Sequence, residues 1–418
     1  MHLLGNQISN KIIIQEREVM EKENSVKNLF KKLMNFEPCE RTLNWEWAYW
    51  GGTINRWYKE GLPRIKGIPK DVQFGSIILG QGIPFGFESL GQFDLWDYDV
   101  SLYFDLDEGF SPIPYNFWLF PPFEEKVIYE DDKYIEKYGE GGIRTRQYKN
   151  MSSMPQWLEF PLKTRNDWEK IKEERFSMDS ISQRFSKNTN LFLKKVKQNN
   201  TPVGLFDMPV GFFGSLRYLI GAEKLFILYY DDPQLLNDIL DHLCNLWLAM
   251  AEEFTSKVKF DYACFWEDMA GKNGSLISPN IFRTFMSARY KKINDFLISK
   301  GINISIVDTD GKVDELIPLF LEVGINTMLP FEQQALNDLI KYRKKYPEIR
   351  ILGGFDKNTL SKSKNDIDIE LKKLRYLISM GGYIPYNDHG IPPNSSWTNF
   401  RYYMENKKKI IYETKVLK

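Results

Sequence analysis

Short apolar runs alternate with amphipathic stretches along the chain from about residue 201 onward. Six of these runs predict strands: Val203–Phe206, Tyr262–Trp266, Ile302–Val307, Ile325–Leu329, Ile349–Leu352 and Tyr383–Pro385. The intervening stretches have helical spacing, most clearly from Ser278, an N-cap before Pro279, to Gly301. Strands alternating with helices form βαβ units and a parallel sheet. The short spacing of the last strands favours a (β/α)8 TIM barrel, with a doubly wound open sheet as the alternative.

The first 200 residues are less regular. Ser25–Asn35 predicts a helix, whereas Val72–Leu79 and Val100–Phe104 predict strands. The segment 112–161 alternates apolar and polar residues between turns, which predicts a β-rich insertion covering the barrel mouth. Residues 1–24 predict a loosely packed N-terminal extension. We therefore expect a single barrel domain over residues 25–418.

Composition excludes several classes of protein. Lys+Arg and Asp+Glu both number 56, so bulk charge does not indicate a nucleic-acid partner. The three cysteines have no CxxC spacing, which argues against a thiolate zinc site and fits a reduced, cytoplasmic protein. No run of 18 apolar residues predicts a membrane span. Aromatic residues make up 15% of the chain, which suits a pocket for a flat or apolar ligand, although a bulky core explains it equally well.

Ionisable residues follow each of the six predicted strands. In chain order they are Asp207, Glu267 and Asp268, Asp308 and Asp310, Glu332, Asp356 and Lys357, and Asp388 and His389. Sites in barrels and open α/β sheets are built at this end of the strands. Acidic residues there also serve as helix N-caps, so both interpretations stay open for any single position.

Two of these positions hold paired carboxylates. Asp308 and Asp310 are two residues apart and point to the same side of an extended strand, so one must raise its pKa or share a cation with the other. Alternatively, Asp310 caps the following helix. Glu267 and Asp268 are adjacent and diverge, so we expect only one of them to face the site.

His389 is the strongest single candidate for a functional residue. It lies in a glycine-flanked loop after the last strand, where a histidine can donate, accept or ligate near neutral pH. His242 lies within a predicted helix and is expected to be a surface or packing residue. Lys357 supplies a positive charge to the site or pairs with Asp356. No Gly-x-Ser-x-Gly elbow and no P-loop is present.

Taken together, these segments resemble the uroporphyrinogen decarboxylase superfamily over about residues 40–415. Segment 209–221, Pro-Val-Gly-Phe-Phe-Gly-Ser-Leu-Arg-Tyr-Leu-Ile-Gly, resembles the family's turn before an aromatic-rich helix. Segment 353–360 resembles its Gly-Asn-x-Asp-x-x-x-Leu, and segment 382–393 resembles its closing Asn-x-Gly-His-Gly-x-x-Pro. In this resemblance His389 matches the active-site histidine. The superfamily includes the decarboxylase of haem synthesis and corrinoid-linked methyltransferases, all on a single barrel.

Two departures from the family patterns narrow the implied activity. The arginine-rich N-terminal motif of true decarboxylases is replaced by segment 50–57, with Arg56 as its one arginine, and the acidic strand ends would repel a polycarboxylate. In the zinc-dependent methyltransferases a His-x-Cys pair and a last-loop Cys bind the metal. Here Asp308, Asp310 and His389 take the matching places, so thiol activation is lost, while oxygen ligands and one histidine still suit zinc or another divalent ion.

The resemblance therefore implies a methyltransferase of the O-demethylase-like branch. It would move a methyl group from a small methylated donor, expected to be an aromatic ether, to a corrinoid protein supplied as partner. Residues expected to be catalytic, and also to hold any metal, are Asp308, Asp310, Glu332 and His389. We expect one nitrogen of His389 to bind the metal and a neighbouring acceptor such as Asp388 to hold the other. Residues expected to bind substrate are Asp207, Glu267, Asp268, Arg56 and Lys357.

Two other functions remain open from the sequence. A carboxy-lyase acting on a porphyrinogen or another carboxylate would need Arg56, Arg64 and Lys357 to converge as anchors. A barrel that binds without turnover is the non-enzymatic alternative. The oligomeric state is not predicted.

Overall fold

The computed structural model of the protein describes residues 25–68, 72, 74–86, 95–149, 155–196 and 200–417, so the expected lead-in 1–24 lies outside the described residues. The strands are β1 (Ala48–Trp50), β2 (Ile77–Leu79), β3 (Ser111–Pro112), β4 (Lys126–Glu130), β5 (Tyr134–Tyr138), β6 (Arg144–Tyr148), β7 (Gln156–Glu159), β8 (Val203–Leu205), β9 (Tyr262–Trp266), β10 (Ala270–Gly271), β11 (Gly274–Ser275), β12 (Ser305–Thr309), β13 (Thr327–Pro330), β14 (Arg350–Leu352) and β15 (Tyr383–Ile384). The α-helices are α1 (Val26–Met34), α2 (Gly51–Glu60), α3 (Asp99–Phe104), α4 (Arg165–Arg175), α5 (Lys187–Lys195), α6 (Phe212–Ile220), α7 (Ala222–Asp231), α8 (Pro233–Thr255), α9 (Pro279–Phe282), α10 (Ala288–Ser299), α11 (Leu316–Glu322), α12 (Leu339–Lys345), α13 (Lys364–Ser379) and α14 (Trp397–Glu413).

A seven-stranded parallel sheet forms the centre of the molecule. Its strand order is β15-β14-β13-β12-β9-β8-β3, and helices connect its consecutive strands from β8 onward. The six strands predicted after residue 201 are all present, which confirms that part of the prediction. Strands β9 and β12 are buried along their whole length, as expected of a parallel sheet covered on both faces.

Local sequence explains how the helices meet this sheet. The Ser278 side chain accepts a hydrogen bond from the amide of Ile281, and Pro279 takes the first helical position, as predicted. Gly211, just before α6, and Gly214, in its first turn, let that helix approach β9. A Cβ added at Gly211 or Gly214 would lie 2.1 or 2.3 Å from the carbonyl oxygen of Trp266, a distance that only glycine avoids.

The N-terminal region departs from the prediction in two places. The predicted strand Val100–Phe104 is wrong, because this segment forms α3. The Asp97 carboxylate accepts hydrogen bonds from the amides of Val100 (3.0 Å) and Ser101 (3.1 Å) and so caps the helix at its start. Of the predicted strand Val72–Leu79, the structure shows β2 over its last three residues, paired antiparallel with β1.

Extended segments run between the two edges of the parallel sheet. Thr42 donates its hydroxyl to the carbonyl of Tyr383 in β15 (2.7 Å), and a parallel bridge joins Tyr49 to Ile391. Gly82 donates its amide to the carbonyl of Glu46 (2.7 Å). Seven parallel strands are assigned in the described part of the chain, so the sheet is a curled, TIM-barrel-like half-barrel in which an eighth strand is not assigned.

The predicted β-rich insertion is an antiparallel sheet of four strands in the order β4-β5-β6-β7. The outer strand β4 is exposed at all five residues, and its pairing with β5 shifts register between Val127 and Tyr129. At the other edge, Trp157 of β7 packs against Tyr218 of α6, with ring centroids 5.2 Å apart. This contact joins the insertion to the helix that follows β8; that the insertion covers the mouth stays a prediction. Within the described residues, no helix is long and apolar enough to cross a membrane.

Candidate active site at the carboxyl ends of the strands

The carboxylates at the carboxyl ends of β9, β12 and β13 form one cluster. Asp308 is the fourth residue of β12, in register with Trp266 of β9 and Leu329 of β13. Its carbonyl oxygen accepts hydrogen bonds from the amides of Glu267 (2.9 Å) and Asp268 (3.2 Å). Neighbouring parallel strands thus end at one level. We call the group of Asp268, Asp308, Asp310 and Glu332 the carboxylate cluster.

Burial and mutual repulsion perturb two members of the carboxylate cluster. Burial is the largest cause that raises the pKa of Asp308 well above its usual range, and the charges of Asp268 and Glu332 raise it further. The pKa of Asp310 is raised in the same direction, by burial first and then by Asp268, Asp308 and Glu332. One oxygen of Asp308, Oδ1, is buried without a hydrogen-bond partner within the described structure. The pair Asp308 and Asp310 therefore keeps protons to a higher pH than ordinary carboxylates do.

Two cations border the carboxylate cluster. The Lys357 ammonium lies 3.6 Å from Glu332 Oε1 and 3.5 Å from Asp388 Oδ1. On the other side, the Arg217 guanidinium forms a 2.5 Å ion pair with Asp268 and also donates to the Asp268 carbonyl at 2.9 Å. Since these two cations face four cluster carboxylates and Asp388, the cations are outnumbered.

Arg217 is held between aromatic rings. Its guanidinium carbon lies 5.2 Å from the ring centre of Trp157 and 5.1 Å from that of Trp266, distances typical of cation–π contact. Sequence analysis did not single out Arg217, although it lies within the segment 209–221 that carried the family resemblance. The contact of Arg217 with Trp157 joins α6 to the insertion, so it depends on tertiary structure and is not visible in the sequence.

His389 contributes a neutral N–H group to the site. The amide of Gly390 donates to Nδ1 at 2.7 Å, so we assign the ring proton to Nε2. Nε2 lies 3.7 Å from Asp310 Oδ2. Burial, followed by the nearby charge of Lys357, lowers the pKa of His389 to about 3, which keeps the ring neutral at physiological pH. Trp47, which sequence analysis also missed, packs on this ring with centroids 4.6 Å apart.

Asp388 does not hold the imidazole, and this part of the prediction is wrong. Its carboxylate is fully buried and accepts hydrogen bonds from the backbone amides of Gln333 (2.7 Å) and Lys357 (3.1 Å). Burial raises the pKa of Asp388 to about 6. Asp388 therefore fixes the loops after β13 and β14 against the last loop, and the ring of His389 is oriented by Gly390 and Trp47 instead.

Of the adjacent pair Glu267 and Asp268, only Asp268 joins the carboxylate cluster. Glu267 is fully buried and accepts hydrogen bonds from the amides of Phe212 (2.9 Å) and Gly214 (2.8 Å), and also from the hydroxyl of Tyr290. Burial raises the pKa of Glu267 to about 7. In these contacts Glu267 acts as a cap for the first turn of α6, the structural alternative named above for acidic strand ends. A direct role in substrate binding stays a prediction.

The remaining expected substrate residues lie in different surroundings. Asp207 is buried directly after β8. Arg56 forms a 2.5 Å ion pair with Glu60 and donates to the Pro393 carbonyl at 2.9 Å, while Arg64 donates to the Ile68 carbonyl. Among the three cations that a decarboxylase would need to converge, Lys357 is the one whose described contacts reach the carboxylate cluster.

The side chains expected to bind a metal do not fit one as they are arranged. Within the described residues, no group of three or more His, Cys, Asp or Glu side chains is placed to hold a metal ion. The nitrogen of His389 that faces Asp310 carries the ring proton, whereas a metal ligand must present a free lone pair. Lys357 already supplies a positive charge next to Glu332. A bound divalent ion stays a prediction, to be tested by metal analysis of the purified protein.

Comparison with known proteins agrees with the fold. The sequence profile of the family "Uroporphyrinogen decarboxylase (URO-D)" matches residues 148–410. This span contains the carboxylate cluster and six of the seven strands of the parallel sheet, which are β8, β9, β12, β13, β14 and β15. A solved methyltransferase from Methanosarcina mazei shares the fold with a TM-score of 0.52 and 13% sequence identity, over 92% of this chain and 98% of that chain. No curated protein matches the sequence significantly. Since the family profile covers more than half of the residues, the chain belongs to the uroporphyrinogen decarboxylase family.

Proposed function

We propose that the protein transfers a methyl group from a small methylated donor, an aromatic ether in the simplest case, to a corrinoid carried by a partner protein. The observation that carries this proposal is the proton inventory at the strand ends. The raised pKa values of Asp308, which is buried, and of the partly exposed Asp310 let this pair keep a proton to a higher pH than ordinary carboxylates do, and the neutral His389 directs Nε2–H toward Asp310 across 3.7 Å. An ether oxygen needs such a proton when its bond to the methyl carbon breaks.

The proposed reaction balances with one proton. The C–O bond of the ether breaks, its electron pair stays on oxygen, and the oxygen takes a proton to leave as a phenol. The reduced corrinoid supplies the nucleophile that takes the methyl carbon. The chain's own groups bind the donor and deliver the proton: a protonated carboxyl of the pair Asp308 and Asp310 transfers its proton to the oxygen, the neutral His389 Nε2–H donates a hydrogen bond, and Glu332 with Lys357 balances the local charge. Trp47 supplies an apolar wall beside His389.

The acidic character of the site argues against the carboxy-lyase alternative. The cations near the cluster already pair with its own carboxylates, Arg217 with Asp268 and Lys357 with Glu332, and Arg56 is paired with Glu60 instead of joining Lys357 to hold an anionic substrate. We further propose that segment 42–50 closes the parallel sheet into the full (β/α)8 barrel. This is supported by the hydrogen bond from Thr42 to Tyr383 and by the bridge from Tyr49 to Ile391.

A direct assay tests the proposed reaction. Purified protein is mixed anaerobically with cob(I)alamin, as the corrinoid probe, and with methoxybenzene derivatives such as 2-methoxyphenol. We expect the absorbance of methylcobalamin to appear together with the demethylated phenol in equal amounts. Parallel samples receive a porphyrinogen and are analysed for carbon dioxide. Release of carbon dioxide without methyl transfer from any ether would replace the proposal by the carboxy-lyase. Metal analysis of the same preparation, and repetition with a chelator, test the divalent ion separately.

A further inference from the structure

A fully buried carboxylate, Glu46, lies directly behind the loop that carries His389. Its Oε2 accepts hydrogen bonds from the side-chain amide of Asn387 (2.6 Å) and from the Asn387 backbone amide (3.3 Å). Its Oε1 accepts from the hydroxyl of Tyr403 (2.8 Å) and from the ammonium of Lys407. The Glu46 carboxylate thus binds both the backbone and the side chain of Asn387, at the start of the last loop.

Lys407 fixes the other side of this group. Its ammonium is fully buried, pairs with Glu46 and donates to the carbonyl of Trp45 at 2.7 Å. Tyr403 and Lys407 are four residues apart on α14, so both reach Glu46 from one face of that helix. We call Glu46, Asn387, Tyr403 and Lys407 the Glu46 network.

The Glu46 network and its neighbours hold three successive residues of the loop. Glu46 holds Asn387, the backbone of Gln333 and Lys357 holds Asp388, and the ring of Trp47 packs on His389 at 4.6 Å with a tilt of 41°. Trp47 directly follows Glu46 in the chain, so the same short segment contacts both ends of the triplet 387–389.

Fastening α14 to the sheet does not require this arrangement. Burying two charges removes the hydration of both ions, and a well-packed apolar pair of similar volume fastens helices as well or better. Hydrogen bonds are directional and apolar contacts are not, so the bonds to Glu46 fix the position of Asn387. Two of the four hydrogen bonds that Glu46 accepts go to Asn387, two residues before His389.

We propose that Glu46 and Lys407 are positioning residues, which set the Asn387–His389 loop so that Nε2–H of His389 faces Asp310. The proposal deepens the proposed function, because it rests on His389 as a group of the reacting centre. It assigns a role to two residues that lie outside the carboxylate cluster.

Nuclear magnetic resonance of the histidine rings tests this positioning without substrate. The chain has three histidines, so the ring signals of protein labelled with ¹⁵N-histidine are assigned with His389→Ala and His242→Ala. The variant Glu46→Ala/Lys407→Met removes both charges together and leaves no unpaired buried ion. We expect His389 to lose its single Nε2–H tautomer and the ring-current shift caused by Trp47. In the methyl-transfer assay, kcat should fall about 100-fold with little change in KM, as for a misplaced catalytic group.

Asp261→Asn provides the matched control. Asp261 is a buried carboxylate just before β9, at the opposite end of the sheet, where it pairs with Lys27 (2.9 Å) and Lys31 (2.7 Å). This variant should lose stability and keep the His389 signals of the natural protein. If Asp261→Asn alters those signals to the same extent, the effect reflects general destabilisation and the proposal fails.

Two further outcomes overturn the proposal. A folded double variant with unchanged His389 signals shows that the Glu46 network only fastens α14. If the double variant does not fold, Glu46→Gln, which keeps the side-chain volume, takes its place, and unchanged His389 signals in that variant overturn the proposal equally. Should the natural protein transfer no methyl group while the His389 signals respond as expected, the proposed function fails and the positioning role stands.

Discussion

Two groups of ionisable side chains within the same fold show opposite balances of charge. In the Glu46 network one buried carboxylate meets one buried ammonium, and both oxygens of Glu46 accept hydrogen bonds. In the carboxylate cluster the acids outnumber the cations, Asp308 Oδ1 has no partner among the described residues, and the pKa of Asp308 is raised. Satisfied charges fix a conformation, whereas crowded carboxylates at a strand end are costly to keep and mark a place for chemistry.

Of the substitutions that test this comparison, Lys407→Met should have the largest effect on stability. It leaves Glu46 as a buried charge without its ammonium partner, so we expect the free energy of unfolding to fall by about 3–5 kcal/mol. Urea denaturation at pH 7 measures the change. A loss below about 1 kcal/mol would mean that water or a proton compensates Glu46, and the contrast between the two groups would disappear.

His389→Ala should affect activity and spare stability. The imidazole accepts a hydrogen bond from Gly390 and packs on Trp47, so its removal costs little folding energy, but it deletes the N–H hydrogen-bond donor that faces Asp310. We expect kcat for methyl transfer to fall about 100-fold. His242→Ala is the matched control, because His242 lies on α8 outside the site, where its ring contacts the carbonyl of Phe176. Equal losses in both variants would contradict the assignment of His389.

Asp308→Asn should stabilise the protein while lowering its activity. The folded-state pKa of Asp308 lies above its unfolded value of 3.8. At any pH between these two pKa values, the folded protein therefore binds more protons than the unfolded chain does. Stability from this group is therefore present at low pH and is lost as the pH rises above about 4. The asparagine variant should show a shallower fall and gain about 1–2 kcal/mol at pH 7.5. Urea denaturation from pH 4 to pH 8 measures how the free energy of unfolding changes with pH in the natural protein and in the variant. Equal slopes in the two proteins would show that the pKa of Asp308 is not raised.

Lys408→Met should have the smallest effect. Lys408 neighbours Lys407 in α14, yet it is partly exposed and lies 3.4 Å from Asp105, whose side chain is 88% exposed. Water screens this pair, so we expect a change below about 0.5 kcal/mol in the same urea experiment. If Lys408→Met lowered the free energy of unfolding as much as Lys407→Met does, burial of the ion pair would not be the cause of the loss.

The sequence alone was sufficient for six of the seven parallel strands, all but β3, and much less so for the contacts around them. Strand β9 is a continuous buried apolar run and β12 is buried around Ile306 and Val307, patterns that are local and therefore visible in one sequence. The segment Val100–Phe104 has the same apolar character, and the helix was missed although its cap, Asp97, lies three residues ahead. Apolar residues alone do not separate a short strand from a short helix, so the cap should have decided.

The candidate site was predictable where residues follow strands and not where distant segments meet. Asp308, Asp310 and His389 were identified from their positions after strands, and Asp310 and His389 do approach each other. Glu267 was expected to face the substrate, but its partners on α6 and α10 depend on tertiary packing. The ion pair between Glu46 and Lys407 joins residues 361 positions apart, which no local pattern reveals.

The exposed outer strand β4 has a consequence for self-association. An unpaired strand edge presents free N–H and C=O groups that can recruit a strand from another molecule. In β4 the apolar residues Val127, Ile128 and Tyr129 lie between the charged residues Lys126 and Glu130, and the shift of register at Val127 and Tyr129 interrupts the ladder. Flanking charges and bulges are devices that blunt such edges. The irregular register of β4 therefore protects the insertion sheet from edge-to-edge aggregation while its other edge packs against α6.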